Sequence, residues 1–183
     1  MMNNQRGGGR PQGRGHGRFE EQKEFDQRIL SLDRVTRVTK GGKRMRFRAC
    51  VIIGDRKGRV AFGVAKGADV SASVNKAVTQ AKKRLIVVPI VNGTIPHMVA
   101  MKFAAASILM KPAPKGTGIK AGGAVRVVLE LAGVPNAVAK ILGSKNKINN
   151  AKATVLALQQ LRRPPAKQPK AQPAEGDKKE QAA

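Results

Sequence analysis

Phe47-Arg-Ala-Cys-Val-Ile-Ile-Gly-Asp-Arg-Lys-Gly-Arg-Val-Ala-Phe-Gly-Val-Ala65 decides the fold. Two apolar runs rich in branched and aromatic residues, Phe47 to Ile53 and Arg59 to Ala65, flank Gly54-Asp55-Arg56-Lys57-Gly58. Such runs separated by glycines and charges predict two antiparallel strands. Upstream, Leu30, Leu32, Val35 and Val38 around Asp33-Arg34 predict a third strand, broken from the second by Gly41-Gly42. Downstream, Asp69 can cap a helix whose Val70, Val74, Ala77, Val78, Ala81 and Leu85 share one face. Lys82, Lys83 and Arg84 fall at its end, where positive charge is favoured. Glu20, Glu21 and Glu24, with Phe25 and Ile29 at helical spacing, predict a short helix entering the fold. Residues 19–85 therefore read as a small domain of three antiparallel strands and one helix.

A second block spans 86–161. Strands are expected at 86–91, 94–102 and 106–111, with Asn92-Gly93 as a tight hairpin turn between the first two. Pro112 and Pro114 end the third. Gly116 to Gly123 opens a helical stretch that ends at Ala132-Gly133 and is stopped by Pro135. Residues 137–142 alternate as a strand does, and a last helix over 148–161 aligns Ile148, Ala151, Val155 and Leu158. Both blocks are α+β and near the lower size limit for a stable domain, so they are expected to pack on each other. The ends, 1–18 and 162–183, lack apolar periodicity and read as disordered tails.

Charge narrows the function. The chain has 36 Lys+Arg against 11 Asp+Glu, a net charge of +25 in 183 residues. The excess is not a tail effect, since 19–161 holds 26 basic and 8 acidic residues. From Val70 to Leu161 there are thirteen cations and one acid, Glu130. A folded surface so one-sided repels itself unless a polyanion neutralises it, and it is poorly supplied for acid–base catalysis. There is no Trp or Tyr and only five Phe, too few for a base-stacking platform. Recognition is therefore expected through phosphates and backbone shape. No apolar run approaches 18 residues, so no membrane span is expected. The N-terminus lacks the apolar stretch of a secretory signal, and Arg6 to Arg18 lacks the amphipathic face of a mitochondrial presequence. The single Cys50 fits a reducing compartment and a buried place in its apolar run.

The densest cationic stretch is Arg34, Arg37, Lys40, Lys43, Arg44, Arg46 and Arg48, seven cations in fifteen residues around Gly41-Gly42. Glycines let backbone approach a phosphate, and flanking cations can straddle a sugar–phosphate chain. In a neutral protein this would be an ordinary solvated hairpin tip. Here no interleaved acids neutralise it, and phosphate binding is expected. Arg56 and Lys57 extend the basic surface at the next turn. Lys82, Lys83 and Arg84 fit either a solvated helix end or a phosphate clamp. Lys115-Gly116-Thr117-Gly118 belongs to Gly116-x-Gly118-x-x-Ala121, a loose dinucleotide pattern. Two prolines separate it from the preceding strand, and Glu130 lies too close for the usual ribose contact. Free amides at a helix start would still bind any phosphate, while a tight packing turn explains the glycines equally well. His16, His97 and Cys50 are isolated, so no metal site and no cofactor are expected. No serine has a partnering base. The Arg/Gly start reads as a weak, unselective RNA-binding arm.

Together these segments resemble a known family. Lys40-Gly-Gly-Lys-Arg-Met-Arg-Phe-Arg-Ala49, Val51-Ile-Ile-Gly-Asp55 and Gly58-Arg-Val-Ala-Phe-Gly63 resemble the first domain of small-subunit ribosomal protein five. Asn92-Gly-Thr-Ile-Pro-His97, Lys111-Pro-Ala113, Gly116-Thr-Gly118, Ala121-Gly-Gly123, Leu129-Glu-Leu-Ala-Gly133 and Gly143-Ser144 resemble its second. The likeness runs in order from about residue 27 to 161, with bacterial-type spacing. It implies a double-stranded-RNA-binding-like first domain and a left-handed β-α-β second domain, a fold shared with some kinases and a translocase domain. It also implies binding to small-subunit rRNA, contacts with small-subunit proteins four and eight, and a cytoplasmic place near the mRNA entry that influences decoding accuracy. Lys40 to Arg46 matches the family's extended hairpin near the spectinomycin site. Residues 103–107, with Phe103, Ala104 and Ser107, match the region facing protein four. There the chain departs from the pattern, with alanine where glycine is frequent and serine where a basic residue is frequent.

The reading is a structural rRNA-binding protein without catalytic activity. A free-standing duplex-RNA regulator would explain 28–85 but leave 86–161 idle. A small-molecule kinase would explain Gly116 to Gly123 but lacks acidic magnesium ligands.

Overall fold

The computed structural model describes residues 24–162. The tails, including the Arg/Gly arm, His16 and Glu20–Glu21, lie outside the described residues. The first sheet is four-stranded in the order β1-β2-β3-β4: β1 (Asp26–Thr39), β2 (Gly42–Gly54), β3 (Arg59–Gly67) and β4 (Ile86–Val87), all antiparallel. Between β3 and β4 runs α1 (Val70–Lys82). Asp69 caps it as expected, its carboxylate accepting from the Val70 amide at 2.7 Å and from the Ser71 hydroxyl at 2.7 Å. The second sheet has the order β5-β6-β8-β7: β5 (Val99–Phe103), β6 (Ala106–Pro112), β7 (Ile119–Lys120) and β8 (Ala137–Ile141). Strands β7 and β8 are parallel and joined through α2 (Gly123–Ala132), a β-α-β unit. The final α3 (Lys147–Gln159) starts at Asn146, whose side chain accepts from the Ile148 amide. The chain is thus a two-domain α+β protein.

Alternation along β2 and β3 makes the first sheet apolar on both faces. Ala49, Val51, Ile53, Ala61 and Ala65 face α1, where they meet Ala77 and Ala81. The helix lies so close that a Cβ at Gly63 would overlap the Ala77 carbonyl. Ile52 and Val60 point the other way, into one continuous core with Ile108, Met110, Val125, Val128, Leu129 and Leu158 of the second domain. Each such side chain, fully removed from water, contributes about 1.5–3 kcal/mol. The second domain is therefore packed on the back of the first domain's sheet.

The junction is also hydrogen-bonded. The Arg56 and Gly58 amides donate to the carbonyls of Leu131 and Ala132 at 3.0 and 2.9 Å. This needs glycine on both sides. A Cβ at Gly54 would overlap the Leu131 carbonyl, and one at Gly133 (φ 79°) would overlap the Arg56 carbonyl.

Four expectations change. Residues Phe25 to Ile29 are not helical: β1 begins at Asp26, and Ile29 pairs with Val51. Pairing with β2 overrides local helical spacing. The strand expected over 86–91 is shorter, and its Ile86–Val87 pairs with β3. The strand expected over 94–102 begins only at Val99, because Pro96 breaks the run. Val91 and Thr94 still bond reciprocally at 3.0 Å across Asn92-Gly93, whose φ values of 52° and 72° make the two-residue turn. Finally, the segment from Gly116 does not open a helix. It crosses β7 first, and α2 begins at Gly123.

Candidate nucleic-acid interface

Strand β3 stops pairing with β2 at Phe47, opposite Gly67. Beyond it β1 and β2 continue alone as a two-stranded ribbon to a tip at Lys40-Gly41. Among the described residues no third strand or helix flanks this ribbon, and its side chains are mostly exposed on both faces. At the tip the Thr39 hydroxyl donates to the Gly42 carbonyl at 3.1 Å, and Gly42 takes φ 127°, a region open to glycine. A Cβ at Gly41 or Gly42 would meet nothing within 4 Å, so the backbone is bare to a ligand.

The register sorts the cations. Arg37 pairs with Arg44, Val35 with Arg46 and Asp33 with Arg48, and Arg48 faces Lys66 on β3. Period-2 alternation places all of these on one face. Arg37, Arg44, Arg46 and Lys66 line one shallow hollow there. Only Arg48 is neutralised, by Asp33 at 2.9 Å. Among the described residues no carboxylate pairs with the other four. Arg37 directly opposite Arg44 is a like-charge cross-strand pair, which costs the ribbon roughly 0.2–1 kcal/mol unless an anion bridges it. The opposite face carries Arg34, Thr36 and Lys43 beside apolar Val38 (69% exposed), Met45 (58% exposed) and Phe47.

The remaining expected residues fall into separate places. Arg84, after α1, lines a larger cleft with Arg48, while Lys82 and Lys83 are exposed beside it. Arg56 is held by Asp26 at 2.8 Å, and Lys57 is exposed at the same turn. Lys115, Gly116, Thr117 and Gly118 form a loop whose Gly116 and Gly118 amides both donate to Asn136 Oδ1 at 3.1 Å. The Asn136 amide group in turn donates to the Gly93 carbonyl at 3.2 Å. The loop is thus built by a side-chain clip, and its two amides are occupied. Phe103, Ala104 and Ser107 lie on the β5–β6 hairpin. The Lys152 ammonium sits 4.2 Å over the Phe103 ring. Ala104 takes φ 51°, strained for a residue with a Cβ. The Ser107 carbonyl accepts from the Leu142 amide at 2.9 Å.

The thiol, carboxylates and imidazole of this region are committed to the fold. Burial, with the nearby Asp33 charge, pushes the Cys50 thiol up to about 12, so it stays protonated. The Arg126 side chain bonds Glu130 at 2.8 Å and, against a smaller opposing effect of burial, holds it below the ordinary carboxylate range; Arg28 adds a bond at 2.7 Å. Burial works to raise the Asp55 carboxyl, but hydrogen bonds from the Arg59 side chain and the Lys57 and Arg59 amides outweigh it and hold it low. Both ring nitrogens of His97 meet backbone groups, the Met98 carbonyl and the Arg162 amide. Among the described residues no three His, Cys, Asp or Glu converge on a metal position.

Sequence reasoning passed over Lys66 and Asn136. Lys66 joins the cationic face only through the β2–β3 register, and Asn136 follows Pro135 as one polar residue in a connection.

Residues 25–89 match the family model of the ribosomal protein S5 N-terminal domain, and residues 101–170 match that of its C-terminal domain. The chain belongs to the ribosomal protein S5 family. As a member of that family it is a protein of the small ribosomal subunit, and the family is structural rather than enzymatic. The cationic ribbon lies wholly inside the S5 N-terminal match, and the Asn136-clipped loop inside the C-terminal one.

Proposed function

We propose that this S5-family chain binds small-subunit rRNA mainly through the β1–β2 ribbon, and thereby supports subunit assembly and decoding near the mRNA entry in the cytoplasmic ribosome. The carrying observation is the un-neutralised face of Arg37, Arg44, Arg46 and Lys66. Guanidiniums that repel each other across strands are relieved by a polyphosphate, and each phosphate engaged releases condensed counterions. Lys40, Gly41, Gly42 and Lys43 form the leading tip, with Arg34 and Arg48 as flanking cations. Lys82, Lys83 and Arg84, and Arg56 with Lys57, act as outlying phosphate contacts. In the clipped loop Lys115 and Thr117 present the contacts, while Gly116 and Gly118 shape the backbone. The β5–β6 hairpin, with Phe103, Ala104 and Ser107, is the surface for small-subunit protein four, and protein eight docks elsewhere on the same chain. No catalytic step is assigned.

Footprinting small-subunit rRNA with and without the protein tests this. Protection at discrete backbone positions, lost at high salt, is the expected result. Absence of protection at every rRNA site overturns it.

A further inference from the structure

Strand β3 has an unfinished edge. Its ladder with β4 covers Arg59 and Val60, and among the described residues Ala61 to Gly67 have no strand partner on the outer side. The direction of the free groups follows from the hydrogen bonds at its start. The Gly58 carbonyl points outward and accepts from the Val88 amide at 2.8 Å, whereas the Arg59 carbonyl points to the β2 side and accepts from the Asp55 amide at 3.2 Å. Antiparallel ladders alternate, so even-numbered residues aim their N–H and C=O outward and odd-numbered ones toward β2. Phe62, Val64 and Lys66 thus present free backbone groups along the edge. Among the described residues no hydrogen bond reaches them.

This edge runs along the floor of a groove. Two clefts of about 470 and 550 Å³ meet there and share Val64 and Gln80 as lining residues. One wall is α3, which contributes Val155 and Leu156, and Phe103 adds an aromatic surface. The other wall is α1. Besides Arg48, which Asp33 neutralises, five cations rim the groove: Lys66, Lys76 and Lys83 at one end, Arg84 and Lys152 at the other. Among the described residues none of the five has an ion-pair partner.

We infer that this groove docks an extended, acidic, partly apolar segment of a partner protein, which adds a strand to the outer edge of β3. Main-chain bonds to Phe62, Val64 and Lys66 hold the segment in register. Alternate side chains fall on the apolar floor, and the others reach the cationic rim with their carboxylates. A single edge lysine deters strand addition; five cations with no counter-charge instead select a negatively charged strand. RNA fits less well, because a phosphate chain has no use for Val64, Val155 and Leu156 and cannot complete a β-ladder. The inference does not use the ribbon tip, but Lys66, Lys83, Arg84 and Phe103 also stand among the groups proposed to meet rRNA or protein four, and competition with rRNA decides between the two uses.

The test uses the full chain and a blocked ten-residue peptide alternating valine with glutamate. Amide exchange followed by NMR should slow at Phe62, Val64 and Lys66 on adding the peptide. Ala61, Gly63 and Ala65, already in the ladder with β2, should not change. Peptide affinity by fluorescence anisotropy should fall tenfold or more in the Lys83→Glu/Lys152→Glu variant, and a lysine-for-glutamate peptide should not bind. Val64→Pro, which removes one outward N–H and leaves the β2 ladder, should also weaken binding, with far-ultraviolet circular dichroism reporting its folding. The exchange pattern of the unaltered protein stands whether or not a variant folds. The inference is overturned if the peptide does not saturate, if it protects other amides, or if rim reversal leaves affinity unchanged. It is equally overturned if the same edge amides become protected by a second copy of the chain at high concentration, or if small-subunit rRNA displaces the peptide and shields Lys83 and Lys152 from acetylation.

Discussion

Gly41-Gly42 at the ribbon tip and the Gly54/Gly133 pair at the domain junction have the same residue type and opposite surroundings. At the tip an added Cβ meets nothing within 4 Å. At the junction it would overlap the backbone of the other domain. The tip glycines keep space open for something outside the chain, while the junction glycines allow two parts of the chain to touch. The charges divide the same way. Arg28, Arg59 and Arg126 near the junction have carboxylate partners, and among the described residues Arg37, Arg44 and Arg46 on the ribbon have none. The junction cations are neutralised within the chain, and the ribbon cations proposed to meet rRNA are left positive.

The sharpest way to break this contrast is a pair of identical substitutions. Gly133→Ala should lower stability by about 3 kcal/mol, a melting shift of roughly 6–12 °C, through overlap and a left-handed backbone angle. Gly41→Ala should stay within about 0.5 kcal/mol. Equal effects in thermal melts would erase the distinction. Next in size, Lys40→Glu/Lys43→Glu/Arg44→Glu should weaken rRNA binding on the order of 10²-fold. It should flatten the slope of log K against log salt by about 2–3 units. Its melting temperature should hold or rise, because Arg37 no longer faces a like charge; a steep fall would mean the ribbon belongs to the fold. Asn136→Ala removes the acceptor for two amides and should cost about 1–2 kcal/mol, with faster amide exchange at Gly116 and Gly118 as the site-specific readout.

A smaller effect comes from acid. Glu130 is held below its ordinary value by Arg126 and Arg28, so its contribution is complete above the unfolded value of 4.5 and is lost as pH falls through the lower folded value. Acid titration of Glu130→Gln should lack that part of the decline, and an unchanged titration would remove Glu130 from the junction's electrostatics. The smallest change is a gain. Ala104→Gly relieves φ 51° and should raise stability by about 0.5–1 kcal/mol, offset in part by glycine's greater unfolded freedom. A loss would show that the turn tolerates alanine without strain.

Much of this was legible in the chain. Period-2 runs located β2 and β3, Asp69 located the start of α1, and Asn92-Gly93 located a two-residue turn. What failed depended on partners distant in sequence. Ile29 is spaced for a helix but lies opposite Val51, and two residues at 86–87 join whichever edge is nearest in space. The site divides similarly. Seven cations around two glycines pointed to the ribbon from composition alone. Their separation into an arginine face and a Val38/Met45 face needed the β1–β2 register. Lys66 needed the β2–β3 register, and Asn136 needed three loops brought to one point.

The back of the first sheet carries a consequence for synthesis. Ile52, Val60 and Phe62 share a core with Ile108 and Met110 of β6 and with the helices that follow residue 122, nearly all of it made after β4. A nascent chain that has extruded β1 through β4 already has one face closed by α1, while the other stands bare to water beside an unpaired strand edge. Until some seventy more residues emerge, that half-built sheet is an adhesive surface. Chains arrested near residue 90 should therefore associate with holdase chaperones or with each other, and completion of α3 should end that stickiness.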